Sequence, residues 1–267
     1  MFRQTLVIGD IHGNFKALQN VLEQSKYDPK LDRLICIGDY VDGYPDSYAV
    51  VDLLIQLNKE SKFNNIYLLG NHDDWTKEIF NESLTYLTSG QSDYISTKYH
   101  YMWNQGGRNT YLSYIRQIDP IPNWEEHKEF FNSLKLYYIE NNILFVHAGW
   151  DTSIFPDFLP VVQIDKEMVI WDRTLFNRAT QIQYLLNKGY NVSTEKSKFG
   201  NFDKIFIGHT STDDKFQQTF PNLQVCNVIN IDTGAGHRGK LTAYRLEDCT
   251  IFQSDYAYNY YPNHKPR

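Results

Sequence analysis

Thr5-Leu6-Val7-Ile8-Gly9-Asp10-Ile11-His12-Gly13 is the stretch on which the fold turns. Its first four residues are apolar or β-branched and read as a buried strand. The Gly9-Asp10 pair ends that strand in a sharp turn, and Ala17, Leu18, Val21 and Leu22 then recur at helical spacing. The unit repeats. Arg33 to Ile37 is an apolar strand, Gly38 to Asp46 is rich in turn residues, and Val50, Val51, Leu53, Leu54 and Leu57 mark a helix. A third strand runs from Ile66 to Leu69 and stops at Gly70. Strands alternating with helices predict an α/β architecture whose loops gather at the strand C-terminal ends, where such folds place their sites.

The second half changes character. Ile143 to Val146, Lys204 to Ile207, Val228 to Ile231, Leu241 to Leu246 and Thr250 to Gln253 read as strands with little helix between the later ones, which predicts a second, largely antiparallel sheet. Two sheets are therefore expected. The region of about 74–135 reads as mostly helical, broken at Gly106-Gly107, and the tail of about 256–267 is Tyr-, Asn- and Pro-rich without a period. With no solenoid repeat or low-complexity linker, 1–267 is read as one domain. The aromatic stretch from Tyr94 to Trp103 is read as core rather than as a nucleobase-stacking wall.

Composition narrows the function classes. A 42% hydrophobic and 15% aromatic chain of 267 residues can bury a large core and is not a disordered tail. A net charge of -6 gives no general attraction to nucleic acid or to anionic membranes, so an anionic substrate needs local positive charge. The three cysteines, Cys36, Cys226 and Cys249, form no CxxC pair, which suits a reducing compartment. The Thr5–Ile8 run is too short for a signal peptide core or a membrane span, and a cytoplasmic protein is expected.

Five segments each end an expected strand on a metal-competent residue: Gly9-Asp10-Ile11-His12-Gly13, Gly38-Asp39-Tyr40-Val41-Asp42, Gly70-Asn71-His72-Asp73, His147-Ala148-Gly149 and Gly208-His209-Thr210. Singly, an Asp after a strand is a helix cap and a His is a structural residue; the combination carries the signal. Carboxylate, imidazole and amide ligands together suit divalent manganese, iron or zinc better than calcium. Two such ions exceed the charge of Asp10, Asp39 and a bridging hydroxide by one positive unit, which would attract phosphate to an acidic protein and supply hydroxide near neutral pH.

The order of these segments resembles the phosphoprotein phosphatase family within the calcineurin-like metallophosphoesterases, especially its bacterial serine/threonine-phosphatase-like members. The likeness extends to Pro45-Asp46-Ser47, Gly106-Gly107 with Thr110, Phe145-Val146-His147-Ala148-Gly149, Trp171 with Arg173, and Ile231-Asp232-Thr233-Gly234 before Gly239-Lys240-Leu241. It implies the calcineurin-like α/β fold, two mixed β-sheets packed as a central sandwich flanked by helices, and a pair of divalent ions, manganese foremost, with Asp10, His12 and Asp39 on the first and Asp39, Asn71, His147 and His209 on the second. It also implies His72 as general acid, oriented by Asp42, and Arg173 as the phosphate-binding guanidinium. Asp232 is read as a turn residue rather than a ligand. The implied reaction is attack of the metal-bridging hydroxide on a phosphate monoester, as in serine/threonine protein phosphatases. Two departures stand out. Gly43 and Leu69 occupy positions where family members carry phosphate-gripping arginines, and Asp73 replaces the usual glutamate, as in relatives that hydrolyse diadenosine tetraphosphate. The alternative substrates are accordingly dinucleoside polyphosphates or phosphodiesters; expected partners are a phosphoprotein, a small phosphoester or a nucleotide.

Overall fold

The structure is a computed structural model that describes residues 2–82, 100–117, 123–153, 164–192, 198–212 and 224–264. Parts of the expected helical middle region, 83–99 and 118–122, lie outside the described residues, as do 94–99 of the aromatic stretch and 265–267 of the tail.

The opening third folds as expected. Strand β1 (Thr5–Ile8) leads to α1 (Phe15–Gln24), β2 (Arg33–Cys36) to α2 (Ser47–Glu60), and β3 (Ile66–Tyr67) to α3 (Asn71–Glu82). β1, β2 and β3 pair in parallel, and Leu68 makes a further bridge to Lys135. Asn14 caps α1, its side-chain oxygen accepting the Ala17 backbone N–H at 3.1 Å. After a kink at Trp103–Gly107, where Gln105 and Gly106 leave helical geometry, come α4 (Arg108–Ile115) and α5 (Trp124–Ser133). Then follow β4 (Tyr137–Glu140), β5 (Ile143–Val146), α6 (Lys166–Trp171), α7 (Thr174–Asn187), β6 (Lys204–Ile207), β7 (Gln224–Val225), β8 (Val228–Asn230), β9 (Thr242–Arg245), β10 (Ile251–Gln253) and α8 (Ala257–Tyr260).

Two five-stranded sheets result, in the orders β10-β9-β1-β2-β3 and β4-β5-β6-β8-β7. Alternation along the strands shows how they pack, because successive side chains point to opposite faces. Val7, Ile35 and Ile37 of the first sheet and Phe145, Phe206 and Ile229 of the second share one buried cluster, the layer between the sheets. Their neighbours Leu6, Ile8, Leu34, Cys36, Leu144, Val146, Ile205 and Ile207 point the other way, against helices. Both faces are buried, which is why these strands read as continuous apolar runs.

Two expectations need correction. The second sheet is mixed, as the family resemblance implies, and not largely antiparallel, as the strand pattern alone suggests: β4–β5 and β7–β8 are antiparallel, but β5–β6 and β6–β8 are parallel. The parallel β5–β6 pairing is possible because helices α6 and α7 fall in the crossover between them. The last strands, β9 and β10, belong to the first sheet, where β9 runs antiparallel to β1. Within the tail, whose sequence shows no period, α8 spans Ala257–Tyr260. Tyr261 donates its hydroxyl to Asp46 Oδ2 at 2.7 Å and packs on Tyr44, while His264 Nε2 donates to the Gly43 carbonyl at 2.9 Å. Among the described residues no helix is long and apolar enough to cross a membrane.

Candidate metal centre

Asp10 and His12 follow β1, Asp39 and Asp42 follow β2, Asn71, His72 and Asp73 open α3 after β3, His147 follows β5 and His209 follows β6. All nine side chains are buried. Four of them, His12, Asp39, Asp42 and His209, have φ between 52° and 62°, the left-handed region that non-glycine residues seldom occupy. The loops thus bend at the functional residues themselves, a backbone cost typical of sites. The adjoining glycines serve a different need. A Cβ on Gly70 would lie 2.1 Å from Asp39 Oδ1, and one on Gly208 would lie 2.1 Å from Asp10 Oδ1, so only a bare backbone lets these carboxylates fit.

The side chains converge from both sheets. His12 Nε2 lies 3.4 Å from Asp39 Oδ2 and 4.0 Å from Asp10 Oδ2. The other oxygen, Asp39 Oδ1, lies 3.5 Å from His147 Nε2. Asn71 Oδ1 is 3.2 Å from His147 Nε2 and 3.0 Å from His209 Nδ1. Asp39 therefore stands between two donor groups, one oxygen toward each. His12, Asp39 and His72 bring donor atoms within 4.8 Å of one another, as do Asp39, His147 and His209.

The tautomers test whether this donor set fits cations. A carbonyl only accepts hydrogen bonds, so a ring nitrogen facing one must carry the proton. His12 Nδ1 faces the Val41 and Asp42 carbonyls at 3.0 and 2.8 Å, His147 Nδ1 faces Ile37 O at 2.9 Å, and His209 Nε2 faces Trp171 O at 3.1 Å. In each neutral ring the other nitrogen then holds a lone pair, aimed at the oxygens of Asp39 or Asn71. Lone pairs facing lone pairs repel unless a proton or a cation lies between them. Backbone carbonyls that fix a histidine in this way are the usual support of a metal ligand. The charge of buried Asp10 and Asp39 asks for the same compensation. On both counts the residues fit divalent ions.

His72 is held differently. Its Nδ1 donates to Asp42 Oδ2 at 2.9 Å, and its backbone N–H donates to Asp39 Oδ1 at 3.0 Å. Its ring meets that of His12 at 5.0 Å. Arg173 is solvent-exposed at the start of α7, two residues beyond the Trp171 whose carbonyl takes the His209 proton. Asp232 accepts the Gly234 N–H at 3.0 Å, the turn role expected of it. Leu69 is 2% exposed and packs in the core, so its position offers phosphate no contact.

Two residues escaped the sequence reading as parts of the site. Asp73 accepts the backbone N–H groups of Asp39, Tyr40 and Gly70 at 2.6, 2.9 and 3.0 Å, tying the β2 and β3 loops together. Burial and the Asp39 charge push its pKa well up, while those three donors offset part of that. Thr110 holds Asp42 by side chain and backbone. Its place beside Gly106-Gly107 was visible, but its partner, 68 residues away in the chain, was not.

Relatives share this architecture. Serine/threonine-protein phosphatase 2 of Escherichia coli is 26% identical over 92% of this chain and 94% of its own. The symmetrical bis(5'-nucleosyl)-tetraphosphatase of Dechloromonas aromatica is 25% identical over 94% of this chain and 95% of its own. A crystal structure of a putative diadenosine tetraphosphatase superposes with a TM-score of 0.57 at 18% identity, covering 95% of each chain, which shows the shared fold. Residues 4–213, which contain every candidate ligand, match the calcineurin-like phosphoesterase family. The two sheets, the converging Asp, Asn and His donors and this match agree: the chain belongs to the calcineurin-like metallophosphoesterases and is a hydrolase.

Proposed function

We propose that this protein hydrolyses phosphate monoesters in the manner of the serine/threonine protein phosphatases, with two divalent ions, manganese foremost and iron or zinc next, as its cofactors. Asp10, His12 and Asp39 would hold one ion and Asp39, Asn71, His147 and His209 the other. Ions bound there supply activated water and the positive charge that draws a phosphoryl group to an acidic protein. The carbonyls of Val41, Ile37 and Trp171 keep the three imidazoles in the tautomer that presents a lone pair. Arg173 is the guanidinium best placed in sequence to take phosphate oxygens, following Trp171 on the rim.

The observation that carries the monoester reading is the His72–Asp42 pair at 2.9 Å. Asp42 accepts the Nδ1–H hydrogen bond and stabilises the imidazolium, leaving Nε2 to hand its proton to the leaving oxygen. An alkoxide leaving group needs that proton, and neither residue is needed merely to hold an ion.

A second reading assigns nucleotide substrates. Some relatives named as tetraphosphatases match this chain over as much of their length as relatives named as protein phosphatases. Gly43, standing where family members carry an arginine, also suits a substrate with less charge to grip. Turnover of manganese-loaded enzyme on an aryl phosphate monoester, the matching diester and diadenosine tetraphosphate separates the two. The monoester should lead; a preference of about a hundredfold in kcat/KM for either of the others would replace this reading.

A further inference from the structure

Two half-buried tryptophans line one side of the site, and their indole rings have no role in the arrangement described above. The Trp75 ring meets His72 at 4.9 Å, nearly perpendicular at 79°. Trp75 meets Trp171 at 5.2 Å, and Trp171 meets His209 at 5.8 Å. The indoles thus form a continuous path from the group that would protonate the leaving oxygen to a candidate ligand of the second ion. An ion pair clamps the path: Lys166 Nζ donates to Asp74 Oδ2 at 2.7 Å, joining the first turn of α3, which carries Trp75, to α6, which ends on Trp171.

We infer that Trp75, backed by Trp171, is an indole wall on the leaving-group side, and that it selects phosphate esters whose leaving group carries an aromatic ring. The inference rests on the reading of His72 as the leaving-group acid. If the departing oxygen sits at His72 Nε2, whatever is attached to that oxygen enters the space beside Trp75. A flat ring gains offset or edge-on contact with an indole there, and an alkyl chain of similar size gains less. Trp75 is a specificity-determining residue in this reading, because it touches the departing group and moves no proton.

The shared chemistry is an aromatic ring, which either a phosphotyrosine or a nucleoside brings. Calorimetric titration of the manganese-loaded protein with phenylphosphonate and methylphosphonate measures the wall without turnover. Phenylphosphonate should bind about tenfold tighter. Trp75→Leu should remove most of that preference and leave methylphosphonate affinity unchanged, whereas Trp75→Phe should keep it. Equal binding of the two phosphonates by the parent protein, or an equal loss of both in Trp75→Leu, overturns the wall. In turnover, phosphotyrosine against phosphoserine and diadenosine tetraphosphate against inorganic tetraphosphate identify which source of the ring is used. A ring preference in either pair that disappears in Trp75→Leu supports the wall, and none in both pairs overturns it. If the parent protein prefers phenylphosphonate yet hydrolyses no ester, the catalytic reading falls while the wall stands.

Discussion

Thr110 donates its hydroxyl to Asp42 Oδ1 at 2.7 Å, and the Thr110 hydroxyl oxygen in turn accepts the Asp42 backbone N–H at 2.9 Å. Ser47 Oγ lies 3.0 Å from the Thr110 hydroxyl, so Asp42 is gripped by a buried network that ends outside the ligand cluster. With Oδ1 held by Thr110, Oδ2 is fixed at the His72 Nδ1 proton.

Thr110→Val keeps the shape and removes both bonds. Expected is about a tenfold fall in kcat on esters with poor leaving groups, with KM nearly unchanged, and recovery in Thr110→Ser. A rise in KM alone, or no recovery with serine, would assign Thr110 to packing.

His72→Ala should leave two bound ions per chain, counted by metal analysis, because the proposed ligands are other residues. Activity on a poor leaving group should fall by roughly a hundredfold or more, and activity on 4-nitrophenyl phosphate by much less, since nitrophenolate leaves without a proton. Equal losses on both substrates contradict the acid role.

The sequence made the site more legible than its supports. Asp10, Asp39 and His147 could be placed because each ends a strand, and strand ends follow from apolar runs bounded by glycine. The paths of β9 and of the β5–β6 crossover could not, because sheet membership depends on which faces find each other in three dimensions. Asp73 was noticed only as a substitution. Its grip on three backbone N–H groups is invisible in sequence, since backbone donors leave no residue signature. The tail lacked any period because it packs through single aromatic contacts, Tyr261 and His264 on Tyr44, rather than through a repeating face.

Away from the site, His127 sets an acid limit on stability. It is 1% exposed, stacks on Tyr48 and accepts the Tyr114 hydroxyl proton at Nδ1. Burial lowers its pKa to about 4, although nearby Asp52 pulls the other way. The unfolded chain binds this proton near pH 6.5, so between those values it binds more protons than the native state. The contribution is therefore fully present above about pH 6.5 and is lost as pH falls toward 4, by roughly 3 kcal/mol at most. His127→Gln keeps an acceptor for Tyr114 and cannot titrate. In chelator, its urea-unfolding stability should fall less than the parent's from pH 7 to pH 4.5; parallel slopes would remove His127 from the account.

Gly43 explains why restoring the family's arginine should fail. Its φ is +135°, and a Cβ there would lie 3.0 Å from the His12 carbonyl and 3.1 Å from His12 Cβ. Its own carbonyl accepts from Asn109 Nδ2 at 2.7 Å and from His264, and Gly106 packs so closely that a Cβ on Gly106 would reach 2.3 Å from Gly43 N. An arginine at 43 must rotate this backbone or push His12 aside, and either movement disturbs a proposed ligand before the guanidinium meets phosphate. Gly43→Arg should therefore cost about 1–2 kcal/mol in stability and weaken manganese binding, with no gain in kcat/KM on a monoester. Calorimetry, metal titration and turnover on one preparation decide it. A variant with unchanged Tm, full metal content and about tenfold higher kcat/KM would show that the loop can accept the side chain, and that Gly43 reflects a choice of substrate rather than a lack of room.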